Sequence, residues 1–301
     1  YQESINHFRK ALQLNPDADT VWYGLSLVYK ATGQRSAALE SLEKVLQINP
    51  KHQPALQELS SLYLRTRQYD KALQLGKIMQ GLNIPEAHEI LGTAFLYLGN
   101  LPMAENHLTS AANDTTAEYL LGLCLMMQNR HNDALKKMHT ITKKHPDQFN
   151  AFFAQSVIKL YLEQTLSMTD DLKTGWGENT DTAIYFLRGS THFLNHDIPA
   201  AVANWSQSKG MVQGFSFDGI TTQDIENGLL AKEIPFLNLG ILYYINHLFD
   251  QAMMAFNKGL KINEDSILTN YWTAQTLLSI GKRNEAIDHF EKAIQLAPGF
   301  F

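Results

Sequence analysis

The residues best placed to do chemistry in this sequence are two histidines near its middle. His192 and His196 are four positions apart, so on a helix they would share one face, which is the minimum arrangement for a zinc-binding pair. A third ligand is not evident, because Asp197 falls at the predicted turn. We interpret both side chains as ordinary turn and surface histidines and predict no metal site.

An acidic stretch interrupted by glycines is a second candidate, this time for a cation. Its carboxylates belong to Asp170, Asp171, Glu178 and Asp181. Calcium-binding loops place their ligands at alternating positions, and this spacing does not, so a solvated loop is favoured. The single cysteine, Cys124, lies in an apolar helical stretch, where a thiol behaves as a small hydrophobic group.

Motifs for catalysis or cofactor binding are absent from the sequence. There is no HExxH, no glycine-rich phosphate loop and no GxSxG. The formal charge is −5 and no block of Lys or Arg stands out, which argues against a surface held to nucleic acid by phosphate contacts. No apolar run is long enough to cross a bilayer. We therefore expect no enzymatic activity, no cofactor, no nucleic-acid partner and no insertion into a membrane.

The elements that must position any functional side chain are paired helices, and residues 21–50 show the pattern. Apolar residues recur at helical spacing in both halves of this stretch. The two stripes are formed by Trp22, Leu25 and Tyr29 and by Ala38, Leu42 and Val45. Gly33 is predicted to end the first helix and Ser36 to cap the second. A lone pair cannot cover both apolar faces, so it needs similar pairs on either side.

The pattern does recur, with a period of 34 residues that separates Ala38 from Ala72 and Ala252 from Ala286. Leu-Gly in the first helix, Ala and Phe in the second and Pro at the end resemble the tetratricopeptide repeat. The resemblance implies an all-α fold, a right-handed α-solenoid superhelix of helix-turn-helix repeats. We predict a single solenoid over residues 1–301, with about eight units of which the first is a half.

Three departures from the period are predicted. The spacing shortens to 30 residues between Leu91-Gly92 and Leu121-Gly122, so the loop around Asp114 is expected to be clipped. Gly76 replaces a large residue, which predicts loose packing at that junction. We also expect a degenerate unit near residues 149–181 and an extra helix near residues 221–232.

The resemblance also implies that the first helices line an inner, concave face, with the second, fifth, ninth and twelfth places of each unit pointing into it. The fifth and ninth places are mainly aromatic or aliphatic, and the candidate partner-binding residues among them are Tyr23, Leu27, Tyr119, Leu123, Phe153, Val157, Phe186 and Tyr271. Such a wall can receive an amphipathic helix or an apolar extended segment of a protein or peptide partner. The alternative is that neighbouring helices bury these side chains, and solvent exposure decides between the two.

Co-chaperone members of the family hold a terminal carboxylate with Lys at the fifth place and Asn at the ninth, and no unit here has that pair. We therefore predict a non-catalytic protein-protein interaction scaffold or adaptor. Two alternatives stay open, namely a bacterial envelope scaffold for polysaccharide export or pilus assembly, and the repeat arm of a larger enzyme such as a glycosyltransferase.

The sequence opens in mid-repeat at Tyr1 and stops at a repeat boundary after Pro298. We expect an excised piece whose targeting segment lies elsewhere, so the cytoplasm and a bacterial periplasm both stay open. Solenoid ends normally need a polar cap. Self-association through the uncapped ends is therefore a further prediction.

Overall fold

The computed structural model describes residues 1–111, 114–145, 148–162, 185, 188–190, 192, 198–207 and 233–296. Every regular element in these ranges is a helix, so the predicted all-α class is confirmed. The chain divides into two compact units, Tyr1–Gln128 and Asn129–Phe301, and each is considered by itself. One solenoid over the whole chain stays a prediction.

Two of the predicted irregularities fall largely on other residues. The extra helix near 221–232 lies outside the described residues, as does the second half of the degenerate unit near 149–181. The first helix of that unit is present where the sequence predicts it, at Phe149–Tyr161.

The first unit is a succession of helices joined by short connections. They are α1 (Gln2–Leu14), α2 (Asp19–Ala31), α3 (Arg35–Ile48), α4 (Gln53–Arg65), α5 (Tyr69–Gly81), α6 (Ala87–Tyr97), α7 (Leu101–Ser110) and α8 (Thr115–Met127). Helices α2, α4 and α6 begin 34 residues apart, which is the period read from the sequence.

The second unit has the same organisation in its described parts. Its helices are α9 (His131–Lys144), α10 (Phe149–Tyr161), α11 (Ile198–Gln207), α12 (Ile234–Ile245), α13 (Phe249–Ile262), α14 (Ile267–Ser279) and α15 (Arg283–Leu296). The paired helices α12 with α13 and α14 with α15 pack against each other, and α13 packs on α14.

A left-handed residue forms the turn inside each helix pair. Between α2 and α3, Gly33 has a φ of +74°, and the Gln34 N–H donates to the Tyr29 carbonyl at 2.9 Å. This six-to-one hydrogen bond is the Schellman motif, which ends a helix and reverses the chain. The central residues of the equivalent turns within each unit, Arg67, Gly99, His247 and Gly281, also have positive φ. Gly33 therefore ends the first helix as predicted, whereas α3 begins one residue before Ser36, which does not cap it.

Close packing of neighbouring helices depends in places on a glycine that faces a large side chain. Inside the α6–α7 pair, a Cβ atom added to Gly92 would lie 2.7 Å from Cγ of Leu108, a distance that packed atoms do not adopt. The Leu-Gly signature at this position is thus explained by the approach of the two helices. Between α1 and α2, a Cβ atom added to Gly24 would lie 2.9 Å from Cζ of Phe8.

Two of the predicted departures are wrong. A Cβ atom on Gly76 would lie 2.9 Å from Cγ of Leu91, so Leu91 fills the space and the junction is tightly packed. The connection before α8 has four residues, 111–114, as does the connection 49–52 before α4. The shorter spacing comes instead from α7, which has 10 residues where α3 has 14.

Candidate functional site

The candidate wall residues of the first unit differ in how accessible they are. Leu27 is 41% exposed, whereas Leu123, at the same place in its own repeat, is fully buried. Tyr23 and Tyr119 are half-buried. Leu27 and the edges of the two tyrosines are therefore accessible to solvent, but Leu123 is a core residue.

In the second unit the candidates lie in the interior. Phe153 and Val157 on α10 are fully buried, and Tyr271 on α14 is 3% exposed. The Tyr271 ring makes edge contacts with Phe290 at 5.8 Å between centroids, and its hydroxyl accepts a hydrogen bond from Gln275 Nε2 at 2.9 Å. Burial raises the pKa of Tyr271. Phe186 lies outside the described residues.

The exposed Leu27 lines a cavity of about 200 Å³, which we call the α2–α4 pocket. The pocket lies between the C-terminal parts of α2 and α4, beside the first turns of α3. Its lining residues are Ser26, Leu27, Lys30, Gly33, Arg35, Ala38, Leu42, Glu58, Ser61, Leu62 and Arg65. Ala38 and Leu42 are buried and give the pocket an apolar floor.

The solvent-exposed side chains of the α2–α4 pocket include charged ones. Lys30 Nζ lies 2.5 Å from Glu58 Oε2, which makes an ion pair between α2 and α4. Arg35, at the start of α3, and Arg65, at the end of α4, are both exposed. Neither arginine has an ion pair in the described parts of the chain. The pocket therefore combines an apolar floor with an excess of positive charge.

Tyr23 lies near the pocket and is held by the next repeat. Its ring packs on the imidazole of His52 with the centroids 5.0 Å apart, and His52 in turn caps α4 by accepting from the Ala55 N–H at 3.2 Å. Burial raises the pKa of Tyr23, and the nearby Glu58 carboxylate adds to that rise. Tyr23 is thus fixed in place and neutral at physiological pH.

Sequence reasoning missed the two arginines, because they do not form a block in the sequence and lie outside the fifth and ninth places of each unit. A signal was available, since Arg35 follows the turn glycine Gly33 by two residues and Arg65 ends the first helix of the next unit. Both positions adjoin the turn that closes a helix pair. The fifth and ninth places of each unit, which were predicted to face the interior, do not include these two positions.

The described residues contain no group of three or more His, Cys, Asp or Glu side chains that could hold an ion. A smaller group of possible ligands is the pair His88 and His107, whose Nδ1 atoms are 3.1 Å apart. His196 and the acidic stretch at 170–181 lie outside the described residues. Among the helices that can be described, none is both long enough and apolar enough to cross a membrane.

Comparison with protein families gives four matches. All four are to tetratricopeptide repeat models, over residues 1–52, 31–75, 116–147 and 269–300. A curated relative, the peroxisomal targeting signal receptor of Candida glabrata, is 21% identical over 204 residues, which cover 60% of this chain and 34% of the receptor. The match thus spans about a third of that relative's length.

Two solved structures share the fold. A tetratricopeptide repeat protein from Parabacteroides merdae is similar over 77% of this chain and 90% of its own, with 16% identity and a TM-score of 0.55. Human IFIT1, solved as a dimer with m7Gppp-AAAA, is similar over 99% of this chain and 68% of its own, with 14% identity and a TM-score of 0.51. Together with the paired helices and their glycine contacts, the family matches show that this chain contains tetratricopeptide repeats.

Proposed function

We propose that this chain is a non-catalytic interaction scaffold, and that its α2–α4 pocket receives an apolar side chain from an extended segment of a partner protein. The observation that carries the proposal is the exposed Leu27 above the apolar floor made by Ala38 and Leu42. An engineered cavity of about 150 Å³ is enough to bind benzene. A pocket of about 200 Å³ therefore suits one apolar side chain.

The family and the curated relative support an interaction role in general. Tetratricopeptide repeats build extended surfaces from stacked helices, and such surfaces bind protein segments. The relative from Candida glabrata is by its name a receptor for a targeting signal, which agrees with capture of a segment. A role as a bacterial envelope scaffold or as the arm of an enzyme would use the same kind of surface, and both stay predictions.

Within the candidate wall, accessibility selects the residues that a partner touches. We assign direct contact to Leu27, Tyr23 and Tyr119, which are partly exposed. Leu123, on the other hand, is fully buried. We assign it a packing role beneath the wall residues, without contact to the partner. The same supporting role is proposed for Phe153, Val157 and Tyr271 in the second unit.

A displayed library of random peptides, selected on the purified chain, tests the proposal. Selected peptides should bind Leu27→Asp about tenfold more weakly, because a carboxylate at the pocket entrance must be desolvated next to the apolar floor. Leu14→Asp is the matched control, since Leu14 is 89% exposed in the same unit and does not line the pocket. The proposal is wrong if every selected peptide binds both variants as it binds the wild type, with both variants folded by circular dichroism.

A further inference from the structure

The charge of the α2–α4 pocket is opposite in sign to that of the whole chain. Three cationic side chains line it, Lys30, Arg35 and Arg65, against the single carboxylate of Glu58. The pocket therefore carries an excess of two positive charges, in a protein whose formal charge is −5. A local excess of this kind raises the concentration of negative groups at the site and selects against positive ones.

The excess comes from the two arginines. The charge of Lys30 is matched by Glu58, with 2.5 Å between nitrogen and oxygen. Arg35 and Arg65 are exposed and have no ion pair among the described residues. Each guanidinium presents a planar fork of donors that fits a carboxylate with two parallel hydrogen bonds.

A second cavity in the same unit provides a contrast. It measures about 680 Å³ and lies between α1, α2 and α3. Its cations, Arg9 and Lys44, are balanced by Glu40 and Glu43, and Arg9 donates to the Tyr29 hydroxyl at 3.0 Å. That cavity therefore has no net charge among these side chains, and it differs in this respect from the α2–α4 pocket.

We propose that the segment bound by the α2–α4 pocket is acidic, with aspartate or glutamate side chains on both sides of the apolar residue that enters it. Arg35 holds one carboxylate and Arg65 the other, while the apolar side chain covers Leu27 and the floor. Two guanidinium groups match two side-chain carboxylates, whereas a terminal carboxylate supplies a single charge. This inference rests on the proposed function and specifies the chemistry of the partner.

The test uses short peptides that are acetylated at one end and amidated at the other, so that only side chains carry charge. A central leucine is flanked by glutamates in one peptide and by glutamines in a matched peptide. Fluorescence anisotropy should show the glutamate peptide binding about tenfold more tightly at low salt, with the difference falling as salt screens the charges. Equal affinities would overturn the inference.

Substitutions assign the effect to the pocket. Arg35→Gln and Arg65→Gln should each weaken the glutamate peptide about fivefold and leave the glutamine peptide unchanged, in line with partly exposed ion pairs. Glu58→Gln should act in the opposite direction and tighten the glutamate peptide, because it releases Lys30 and removes a repelling carboxylate. Lys10→Gln is the control, as Lys10 is exposed on α1 outside the pocket. An equal loss in Lys10→Gln would show general charge attraction and overturn the inference.

The two proposals fail in different ways. If both peptides bind equally and both depend on Leu27, the pocket binds a segment without a charge preference, and only the acidic inference is wrong. If neither the peptides nor the library yields binding that depends on Leu27, the proposed function fails as well. A single-stranded oligonucleotide that binds through Arg35 and Arg65 more tightly than the glutamate peptide would assign the pocket to phosphate and overturn the inference.

Discussion

Gly240 on α12 lies directly against the ring of Phe256 on α13. A Cβ atom added to Gly240 would be 2.3 Å from Cε1 of Phe256, and Phe256 is fully buried. The pair repeats in the second unit the contact between Gly92 and Leu108 in the first. Such contacts let two helices approach closely, so their loss should lower the free energy of unfolding.

Gly240→Ala should lower the free energy of unfolding by about 1–3 kcal/mol, the usual effect of overfilling a packed core. Urea denaturation followed by circular dichroism measures the change. The double variant Gly240→Ala/Phe256→Ala removes the ring, which makes room for the added methyl group, and should lose less than the two single changes combined. Full additivity of the two changes would mean that the ring does not oppose the methyl group.

Gly33→Ala should destabilise the first unit by about 1 kcal/mol, because an L-residue pays that cost in the left-handed region, where Gly33 has a φ of +74°. No atom lies within 4 Å of an added Cβ there, so backbone conformation is the cause. Gly81→Ala is the control, since Gly81 also has open space around it but no positive φ. Thermal melts of both variants make the comparison, and an equal fall in Tm would contradict the explanation.

Glu233, just before α12, should make stability depend on pH in the neutral range. Its side chain is fully buried and forms no hydrogen bond with good geometry in the described residues. Burial raises the pKa of the Glu233 carboxyl to about 7, and the nearby side chains of Ser266 and Asn263 lower it by less than burial raises it. A folded pKa above the unfolded value means that stability is fully present below about 4.5 and is lost as the pH rises through 7.

Glu233→Gln removes this titration and should stabilise the protein by about 2–3 kcal/mol at pH 8, with little change at pH 4.5. Melting curves of wild type and variant at the two pH values test the sign. Glu264→Gln, at an exposed position of the same unit, should show no such difference. A gain of the same size at both pH values would attribute the effect to packing and not to charge.

His107 should act in the opposite direction in the first unit. Burial lowers its pKa, and the neighbouring His88 lowers it further. A folded pKa below the unfolded value means that stability is present above about pH 6.5 and is lost as the pH falls, because the unfolded chain takes up the proton.

The variant His107→Gln should therefore lose less stability than the wild type when the pH is lowered from about 7.5 to about 5.5. Urea midpoints at the two pH values provide the measurement. His7→Gln is the control, since the His7 side chain is 73% exposed on α1. An unchanged pH slope in His107→Gln would contradict the assignment.

Phe153→Ala should lower the free energy of unfolding. The affinity of the folded protein for its partner should stay unchanged. The ring is fully buried on α10, and truncation of a buried phenylalanine costs about 3–5 kcal/mol. Urea denaturation would show the loss, and a peptide-binding assay on the folded fraction would show unchanged affinity. Weaker binding by a fully folded Phe153→Ala variant would instead make Phe153 a contact residue.

The helix pairs could be predicted from sequence because their signals are local. A stripe of apolar residues and a glycine such as Gly33 act within one turn of chain, and the structure places α2 and α3 where these signals indicate. The details that failed depend on distant residues. The space at Gly76 is filled by Leu91 of the next helix, which no local pattern around Gly76 reveals.

The sequence by itself determined the repeat, its period of 34 residues and the aromatic and aliphatic character of the wall. Only the tertiary structure decided which of these side chains are accessible to solvent. Leu27 and Leu123 hold the same place in their repeats, yet one is 41% exposed and the other fully buried. Exposure depends on how neighbouring helices pack, and the charged edge formed by Arg35 and Arg65 exists because three separate helices meet there.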